Sequence, residues 1–529
     1  MNFVRGKMSK SKANACGVSS GPLAAELEEI PPPFLSDELR AELGGREFPF
    51  INVAFEGGGN KGLSLMGAIR VLEELGYWKK FRRFAGASAG SMVAALVAIG
   101  YTSHDIERFL AGDIQDVFLD ASFGCLSLLP NMLRKFGWHP GRKIYKWFGD
   151  KVESHTRTKN PDLTFAQLYN EYGTELCITV ANLSNMDCTY CHVKTTPDLP
   201  IRKAVQMSAA IPGVFCPVKV TTEHSGVTDY FVDGGLLCNF PIHCYDGWYL
   251  SMKDEHSFFE QLRKHRGDPE KWDSKARFQP RPPASETLGI IMYSAEEMEV
   301  MQTDLEKRFS DKIKPSEILP EPKTKLAEQR RKETEQRRAK EEDFHRISTA
   351  IDKLSDVLTD GNADHDPAIS LEEFLNAMNR PDSKLLEEDK KLIFGDKFND
   401  PEAMFKELDT SNDQKISFNE LVAFGKKRGV DIMNFSGGRR HEIGSLSSYF
   451  GTLMETLLLN MKKIFIDRKD LDRTIGIDTK YIDTLDFNMD PEDQRYLIHQ
   501  GKLGCIAFLR ERISEGKMPR LKEHTNSAI

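Results

Sequence analysis

The sequence predicts an α/β protein, a mainly parallel sheet sandwiched by helices, interrupted by an all-α insert. Three observations predict it. Apolar Phe84-Ala85 runs into Gly86-Ala87-Ser88-Ala89-Gly90 and then into the helical stretch Met92-Val93-Ala94-Ala95-Leu96-Val97-Ala98-Ile99. Upstream, Ile51-Asn52-Val53-Ala54-Phe55 reads as a buried strand, followed by Glu56-Gly57-Gly58-Gly59-Asn60-Lys61-Gly62 and by Met66, Ile69, Leu72 and Leu75 at helical spacing. Strands alternating with helices imply parallel strands covered by helices. Past about residue 300 the composition turns to charged helical patterns, and apolar segments of the earlier type return only beyond Gly437-Gly438.

Each turn carries chemistry. Glycine two residues either side of Ser88 lets the backbone bend sharply, and the hydroxyl stands at a helix N-terminus that favours developing negative charge. The glycines of 57–62 bring bare N–H groups to a second helix start, which suits an oxyanion. Val232-Asp233-Gly234-Gly235, after Tyr230-Phe231, places a carboxylate at a strand end. These three motifs, G-G-G-x-K-G, G-x-S-x-G and D-G-G in that order, resemble those of the patatin-like phospholipases. Ser208-Ala209-Ala210-Ile211-Pro212-Gly213-Val214-Phe215-Cys216-Pro217 and Asn239-Phe240-Pro241 share the resemblance.

The resemblance implies a patatin-like fold and a lipid acyl hydrolase of phospholipase A or lysophospholipase type. It implies that Ser88 attacks the ester carbonyl, that Asp233 takes its proton without a histidine, and that the N–H groups of Gly57, Gly58 and Gly59 hold the oxyanion. An isolated Asp is a weak base near pH 4, so burial must raise its proton affinity. His224 and His243 are candidates for a third triad member, but neither stands in a motif. A neutral-lipid (triacylglycerol) lipase and an inactive calcium-dependent membrane adaptor on the same scaffold are the rival readings. No Gly-Lys-Ser/Thr follows the glycine loop, which argues against a nucleotide site.

Further along, Leu176 to Ala181 is a strand in β-branched style, and Cys188-Thr189-Tyr190-Cys191 reads as a hairpin with two buried thiols. Ile201 to Ala210 is a helix, residues 244–285 form a polar excursion, and Leu288 to Met292 resumes as a strand. An apolar segment with Phe118, Leu126, Leu129, Phe136 and Trp138 packs as a cap or faces lipid.

Residues 323–343 are nearly all charged with mixed signs, the pattern of a solvated connector helix. Two twelve-residue loops follow. The second offers Asp409, Ser411, Asp413, Ser417 and Glu420 at positions one, three, five, nine and twelve, with Lys415 at seven and Ile416 at eight. The first offers Asn362, Asp364, Asp366, Ala368, Ser370 and Glu373 in the same register. Helical patterns flank both loops, so the pair resembles EF-hands, and calcium wants such a set of oxygens. The family's glycine at position six is Gln414 in one loop and Pro367 in the other. Gln414 can adopt a left-handed backbone; Pro367 cannot, so the first loop must be distorted. Calcium is the implied cofactor, regulatory or structural, and not required by the Ser-Asp chemistry.

The expected organisation is a disordered tail (1–46), a hydrolase domain in two parts (47–300 and 437–516), a charged connector (301–343), an EF-hand pair (344–436) and a C-terminal tail (517–529). A net charge of −8 over 529 residues argues against general nucleic-acid binding. There is no apolar run of transmembrane length, no signal-peptide core near Met1, and the nine cysteines suit reduced thiols. A cytoplasmic, peripherally membrane-associated protein acting on lipid at a membrane or droplet surface is expected.

Overall fold

The structure is a computed structural model that describes residues 33–521 apart from 119, 121–131, 133, 223–224, 269–275, 280–285, 295–298, 363–365, 381–382, most of 431–465, 485, 487 and 488. The expected cap segment 118–138 and the expected apolar helix 446–465 lie largely outside the described residues.

The strands in chain order are β1 (Asn52–Phe55), β2 (Arg83–Gly86), β3 (Gly137–His139), β4 (Glu175–Asn182), β5 (Asp187–Cys191), β6 (Gly213–Phe215), β7 (Val218–Thr221), β8 (Thr228–Asp233), β9 (Thr287–Tyr293), β10 (Ala368–Ser370), β11 (Lys415–Ser417) and β12 (Thr474–Asp478). Eight form one sheet, ordered β12-β9-β1-β2-β4-β8-β7 with β5 also on β4. The first five in that order pair parallel; β8 and β5 run antiparallel to β4, and β7 antiparallel to β8.

Both sheet faces are covered, so the strands read as apolar runs rather than as alternating ones. The two-residue period still sorts their side chains. Val53, Phe55, Leu176, Ile178, Val180, Leu288 and Ile290 enter the larger core. Ala54, Ala85, Cys177 and Ile291 enter a second core on the other face. The larger core is closed by the helices Ser64–Glu74, Ser88–Ala98 and Pro491–Ser514; in the last, Leu503, Ile506 and Phe508 are fully buried. The chain leaves the sheet after β9 and returns as its neighbour β12, so everything between Tyr293 and Thr474 is inserted between adjacent strands.

Within that insertion, helices Pro401–Leu408 and Phe418–Lys427 flank one loop, and helices Lys325–Gly361 and Leu371–Met378 the other. β10 and β11 join the loops antiparallel, with Ile369 opposite Ile416. Leu354, Phe374, Phe405 and Phe424 fill a core of their own beneath them.

The expected organisation needs correction at four places. Residues 33–46 are not tail: Ser36 caps the helix Asp37–Leu43, Glu74 accepts the N–H groups of Phe34 (2.7 Å) and Leu35 (3.0 Å), and Leu35 and Leu43 are buried. The start of 517–529 is likewise packed, with Met518 buried and Arg520 bridging Arg46. The connector is not simply solvated. In the helix Glu299–Lys312, Leu305 is buried and Arg308 donates to the carbonyls of Thr474 (2.7 Å) and Leu471 (3.0 Å). The helix Lys325–Gly361 starts against the sheet domain, where the Thr324 hydroxyl donates to Asp493 (2.7 Å) and Arg330 pairs with Asp483 (3.0 Å) and Asp486 (2.9 Å). The expected excursion also begins inside, with Cys244, Tyr245 and Leu250 buried in the second core.

Candidate active site

The turn after β2 puts Ser88 at the first position of the helix Ser88–Ala98 with φ 49, the left-handed region that a side chain enters at a cost of about 1 kcal/mol. The surroundings fix that conformation. Ser88 N–H donates to the Ser208 hydroxyl (2.9 Å), which donates onward to the Thr179 carbonyl (2.8 Å). The Ser91 hydroxyl donates to the Ser88 carbonyl (2.6 Å). Such outliers, held by several partners, gather at reacting groups.

The Ser88 hydroxyl donates to Asp233 Oδ2 at 2.7 Å. Asp233 ends β8 opposite Val180 of β4, its own N–H held by the Ala210 carbonyl (2.9 Å). Its other oxygen accepts the Gly235 N–H at 2.7 Å. Burial pushes its pKa up to about 7; the Ser88 hydroxyl and the Gly235 N–H pull against that without overcoming it. A carboxyl with its pKa raised close to neutrality therefore touches the Ser88 hydroxyl.

Of the two candidate histidines, the described one makes no hydrogen bond to Ser88 or Asp233. His243 Nε2 lies 2.9 Å from the Tyr190 hydroxyl, in the second core. His224 lies outside the described residues.

The glycine loop follows β1 and passes close to Ser88. A Cβ on Gly57 would stand 2.8 Å from Ser88 Cβ and 2.9 Å from the Ala87 carbonyl oxygen, so only glycine fits. Its N–H, however, donates to the Asn239 carbonyl (3.0 Å), and its carbonyl accepts Asn239 Nδ2 (2.9 Å). The expectation that Gly57 offers an oxyanion donor is thus corrected: a strand-end amide next to another chain segment is satisfied by that segment. The N–H groups of Gly58 and Gly59 make no hydrogen bond among the described residues. Gly57→Ala is expected to lower kcat about 10²–10³-fold, the effect of displacing an oxyanion donor, with unchanged secondary structure by circular dichroism.

Three residues not assigned a role from sequence hold this arrangement. Glu56, 1% exposed, accepts the Met292 N–H (2.7 Å) and approaches Asn239 Nδ2 (3.5 Å), tying the loop to β9. Asn239 grips Gly57 from both sides, and Ser208 orients Ser88. The available signal was a carboxylate ending an apolar strand immediately before three glycines.

The model of the patatin-like phospholipase family matches residues 53–244. Residues 53–244 are a patatin-like phospholipase domain. The match spans the glycine loop, Ser88 and Asp233. An uncharacterized protein of Bacillus subtilis (strain 168), YqhO, is 35% identical over 200 residues, covering 36% of this chain and 66% of the relative. Probable lipid hydrolase 463L of Invertebrate iridescent virus 6 is 27% identical over 194 residues, covering 36% of this chain and 61% of the viral protein. VipD from Legionella pneumophila is similar at a TM-score of 0.37 and 14% identity, over 88% of this chain and 68% of VipD. The matched segments thus span less than two thirds of the curated relatives. β9 and β12, beyond the matched stretch, belong to the same sheet, and the helix Pro491–Ser514 packs on it.

The two loops of the insert are a separate candidate site. In the second, Gln414 takes φ 63 and donates its N–H to Asp409 Oδ2 (3.0 Å). The Ser411 hydroxyl donates to Asp409 Oδ1 (3.2 Å), and Asp413 accepts the Lys415 N–H (2.9 Å). Glu420 accepts from the N–H groups of Ser411 and Ser417 (both 2.9 Å) and from the Ser417 hydroxyl (2.9 Å). Its slight burial opposes ionisation, but these donors hold its pKa at about 2. Among the described residues no three His, Cys, Asp or Glu side chains converge as a metal-holding group. In the first loop, Asp366 accepts the Ala368 N–H (2.8 Å) and pairs with Lys415 Nζ (3.1 Å). Asn362 donates to the Asp366 carbonyl (2.8 Å), and Glu373 caps Ser370. Asp364 lies outside the described residues.

Proposed function

We propose that this protein is a lipid acyl hydrolase, of phospholipase A or lysophospholipase type, working through an acyl-serine intermediate on Ser88 with Asp233 as the single base. The observation that carries the reading is the direct 2.7 Å bond from the Ser88 hydroxyl to a buried aspartate inside a patatin-like domain. The similarity to the viral protein named as a probable lipid hydrolase supports a lipid substrate.

The chemistry follows from the geometry. Ser88 Oγ attacks the acyl carbonyl carbon as its proton passes to Asp233 Oδ2. The negative charge gathering on the carbonyl oxygen is met by the N–H groups of Gly58 and Gly59. Collapse breaks the ester bond, and the proton on Asp233 goes to the departing alkoxide, releasing an alcohol or lysolipid. Water then attacks the acyl-Ser88 carbonyl, giving its proton to Asp233; collapse releases the fatty acid, and the proton returns to Ser88. Release of fatty acid from radiolabelled phospholipid tests the reading. Release from triacylglycerol alone would favour a neutral-lipid lipase, and release from neither would favour an adaptor.

The insert is read as a pair of EF-hands, supported by the antiparallel pairing of Ile369 with Ile416 at the matching loop positions. Asp409, Asp413, Glu420, Ser411, Ser417 and the Lys415 carbonyl are an all-oxygen donor set that suits calcium. In the first loop, Asn362, Asp366, Ser370, Glu373 and the Ala368 carbonyl are the corresponding donors; there the Lys415 ammonium competes for Asp366. The helix Lys325–Gly361 starts against the sheet domain and runs into the first loop, so a change in its angle reaches that domain. Calcium is expected to raise the melting temperature and to increase hydrolysis. Glu420→Gln, alone and with Glu373→Gln, is expected to lose both responses in a calcium titration; unchanged responses would make the insert structural.

Among the described residues no helix is long and apolar enough to cross a membrane. A peripheral association with lipid surfaces is therefore part of the proposal.

A further inference from the structure

The catalytic end of the sheet carries apolar side chains open to solvent. β2 ends at Gly86, paired with Ile178, whereas β4 continues four residues further to Asn182. β8 runs back beside that extension and delivers Asp233 opposite Val180. The turn 183–186 and the start of β8 therefore project beyond the Ser88–Asp233 pair. At about 3.3 Å per strand residue, Tyr230 lies about 10 Å outward of Asp233.

On this rim Met186 is 88% exposed, Val227 58%, Phe136 57%, Leu183 47% and Trp138 40%. They belong to one surface. Leu183 N–H donates to the Tyr230 carbonyl (2.9 Å), Tyr230 N–H to the Ser184 hydroxyl (3.0 Å), and the Phe136 ring meets Tyr230 edge-on at 6.4 Å. β3, between Phe136 and Pro140, pairs with β6 just after the Ala210 carbonyl that holds Asp233. Val227 stands at the tip of the adjoining β7–β8 hairpin. Met186 also has φ 53, directly after an Asn that takes such a conformation with less strain. Neither burial nor backbone preference accounts for methionine there.

The flanking charge is biased. Residues 134–143 contain Arg134, Lys135, Arg142 and Lys143, all exposed, and no carboxylate. Lys219 lies 5.0 Å from the centre of the Tyr230 ring. Among the described residues, Asp187, Asp229 and Asp120 stand against these five cations, Asp120 bonded to the N–H groups of Gly141, Arg142 and Lys143.

We infer that this rim docks the protein on an anionic phospholipid bilayer. Met186, Leu183, Val227, Phe136 and Trp138 enter the interface, and the 134–143 cations lie over the headgroups. The inference deepens the lipid-hydrolase reading and rests on it for its purpose, because it sets Ser88 above an ester in the plane of the bilayer. Apolar side chains supply insertion and basic ones the attraction to anionic lipid, as for interfacial helices.

The test is flotation of the full chain with vesicles of phosphatidylcholine mixed with phosphatidylserine, and with phosphatidylcholine alone. It is paired with hydrolysis of a soluble short-chain nitrophenyl ester. Wild type is expected to float with the mixed vesicles and much less with the neutral ones. Met186→Glu with Val227→Glu is expected to reduce flotation and vesicle hydrolysis about tenfold or more while short-chain hydrolysis stays unchanged. Arg134→Glu with Lys135→Glu is expected to abolish the preference for mixed vesicles. Flotation of the apolar double variant equal to wild type, equal binding of wild type to both vesicles, or no binding to either would overturn the inference. So would parallel loss of short-chain hydrolysis in the apolar variant, which would assign those side chains to the site. Wild type that floats yet hydrolyses no ester would contradict the hydrolase reading and leave the docking surface standing.

Discussion

Ser88→Ala is expected to lower fatty-acid release about 10⁶-fold, the scale seen when a serine hydrolase loses its nucleophile. Asp233→Asn is expected to lower it about 10²–10⁴-fold, the usual contribution of a positioned general base. The difference has a structural reason. In the Asp233→Asn variant the Ser88 hydroxyl still stands in the turn beside the proposed oxyanion donors, and water can take its proton slowly. Without Oγ no acyl bond can form. Both variants are expected to fold. Ser88→Ala removes one hydrogen bond from Asp233, whose other oxygen keeps the Gly235 N–H. The carboxyl meets the loss by staying protonated to higher pH, which limits the cost of leaving it buried. Near wild-type circular dichroism beside absent hydrolysis is the expected pair of results.

Acid is expected to silence the enzyme as the Asp233 carboxyl protonates, while the same titration makes the fold more stable. In the proposed mechanism the carboxylate is the active base, and burial pushes its pKa up to about 7. Below that pH, kcat/KM is expected to fall about tenfold per pH unit, with a plateau above it. Stability runs the other way. A folded pKa above the unfolded value means that the native state binds a proton the unfolded chain does not, between about pH 4 and 7. This group's contribution is thus fully present below about pH 4 and is lost as pH rises through about 7, by about 4 kcal/mol in all. A carboxamide in its place is neutral throughout. Asp233→Asn is therefore expected to melt higher than wild type above pH 7 and to converge with it near pH 4, as read by thermal scans across pH. An inactive variant that is the more stable protein would identify Asp233 as a site where stability gives way to function.

The local half of this site was legible in the sequence. The turn around Ser88 is dictated by sterics within five residues: a Cβ on Gly86 would stand 2.7 Å from the Ser91 nitrogen. The parallel sheet was legible too, because strands buried on both faces read as continuous apolar runs between helical spacings. Asp233 lies 145 positions from Ser88, and no spacing announces that pairing; the motif order did. Which glycine N–H groups point into the site was not legible. That depends on how Asn239 approaches Gly57, a tertiary contact between segments 182 positions apart. The edges failed for a related reason. Residues 33–46 offer a seven-residue helix with one fully buried leucine, too short for a periodic signal, and their anchors are Glu74 and the far C-terminal segment. In the charged stretch after residue 300, the buried apolar positions Leu305, Ile313 and Ala327 are outnumbered by charge, so packed faces read as solvated helix.

The central claim is that Ser88 is a nucleophile activated by Asp233 alone. Its most direct test is reaction with an alkyl phosphonofluoridate, in which the serine oxygen bonds to phosphorus and fluoride departs. Peptide mass spectrometry should then locate the adduct. The account predicts a single adduct on Ser88, complete loss of hydrolysis in step with labelling, a labelling rate that falls below pH 7, and no adduct in Ser88→Ala. An adduct on another residue, or full hydrolysis by protein labelled at Ser88, would contradict it.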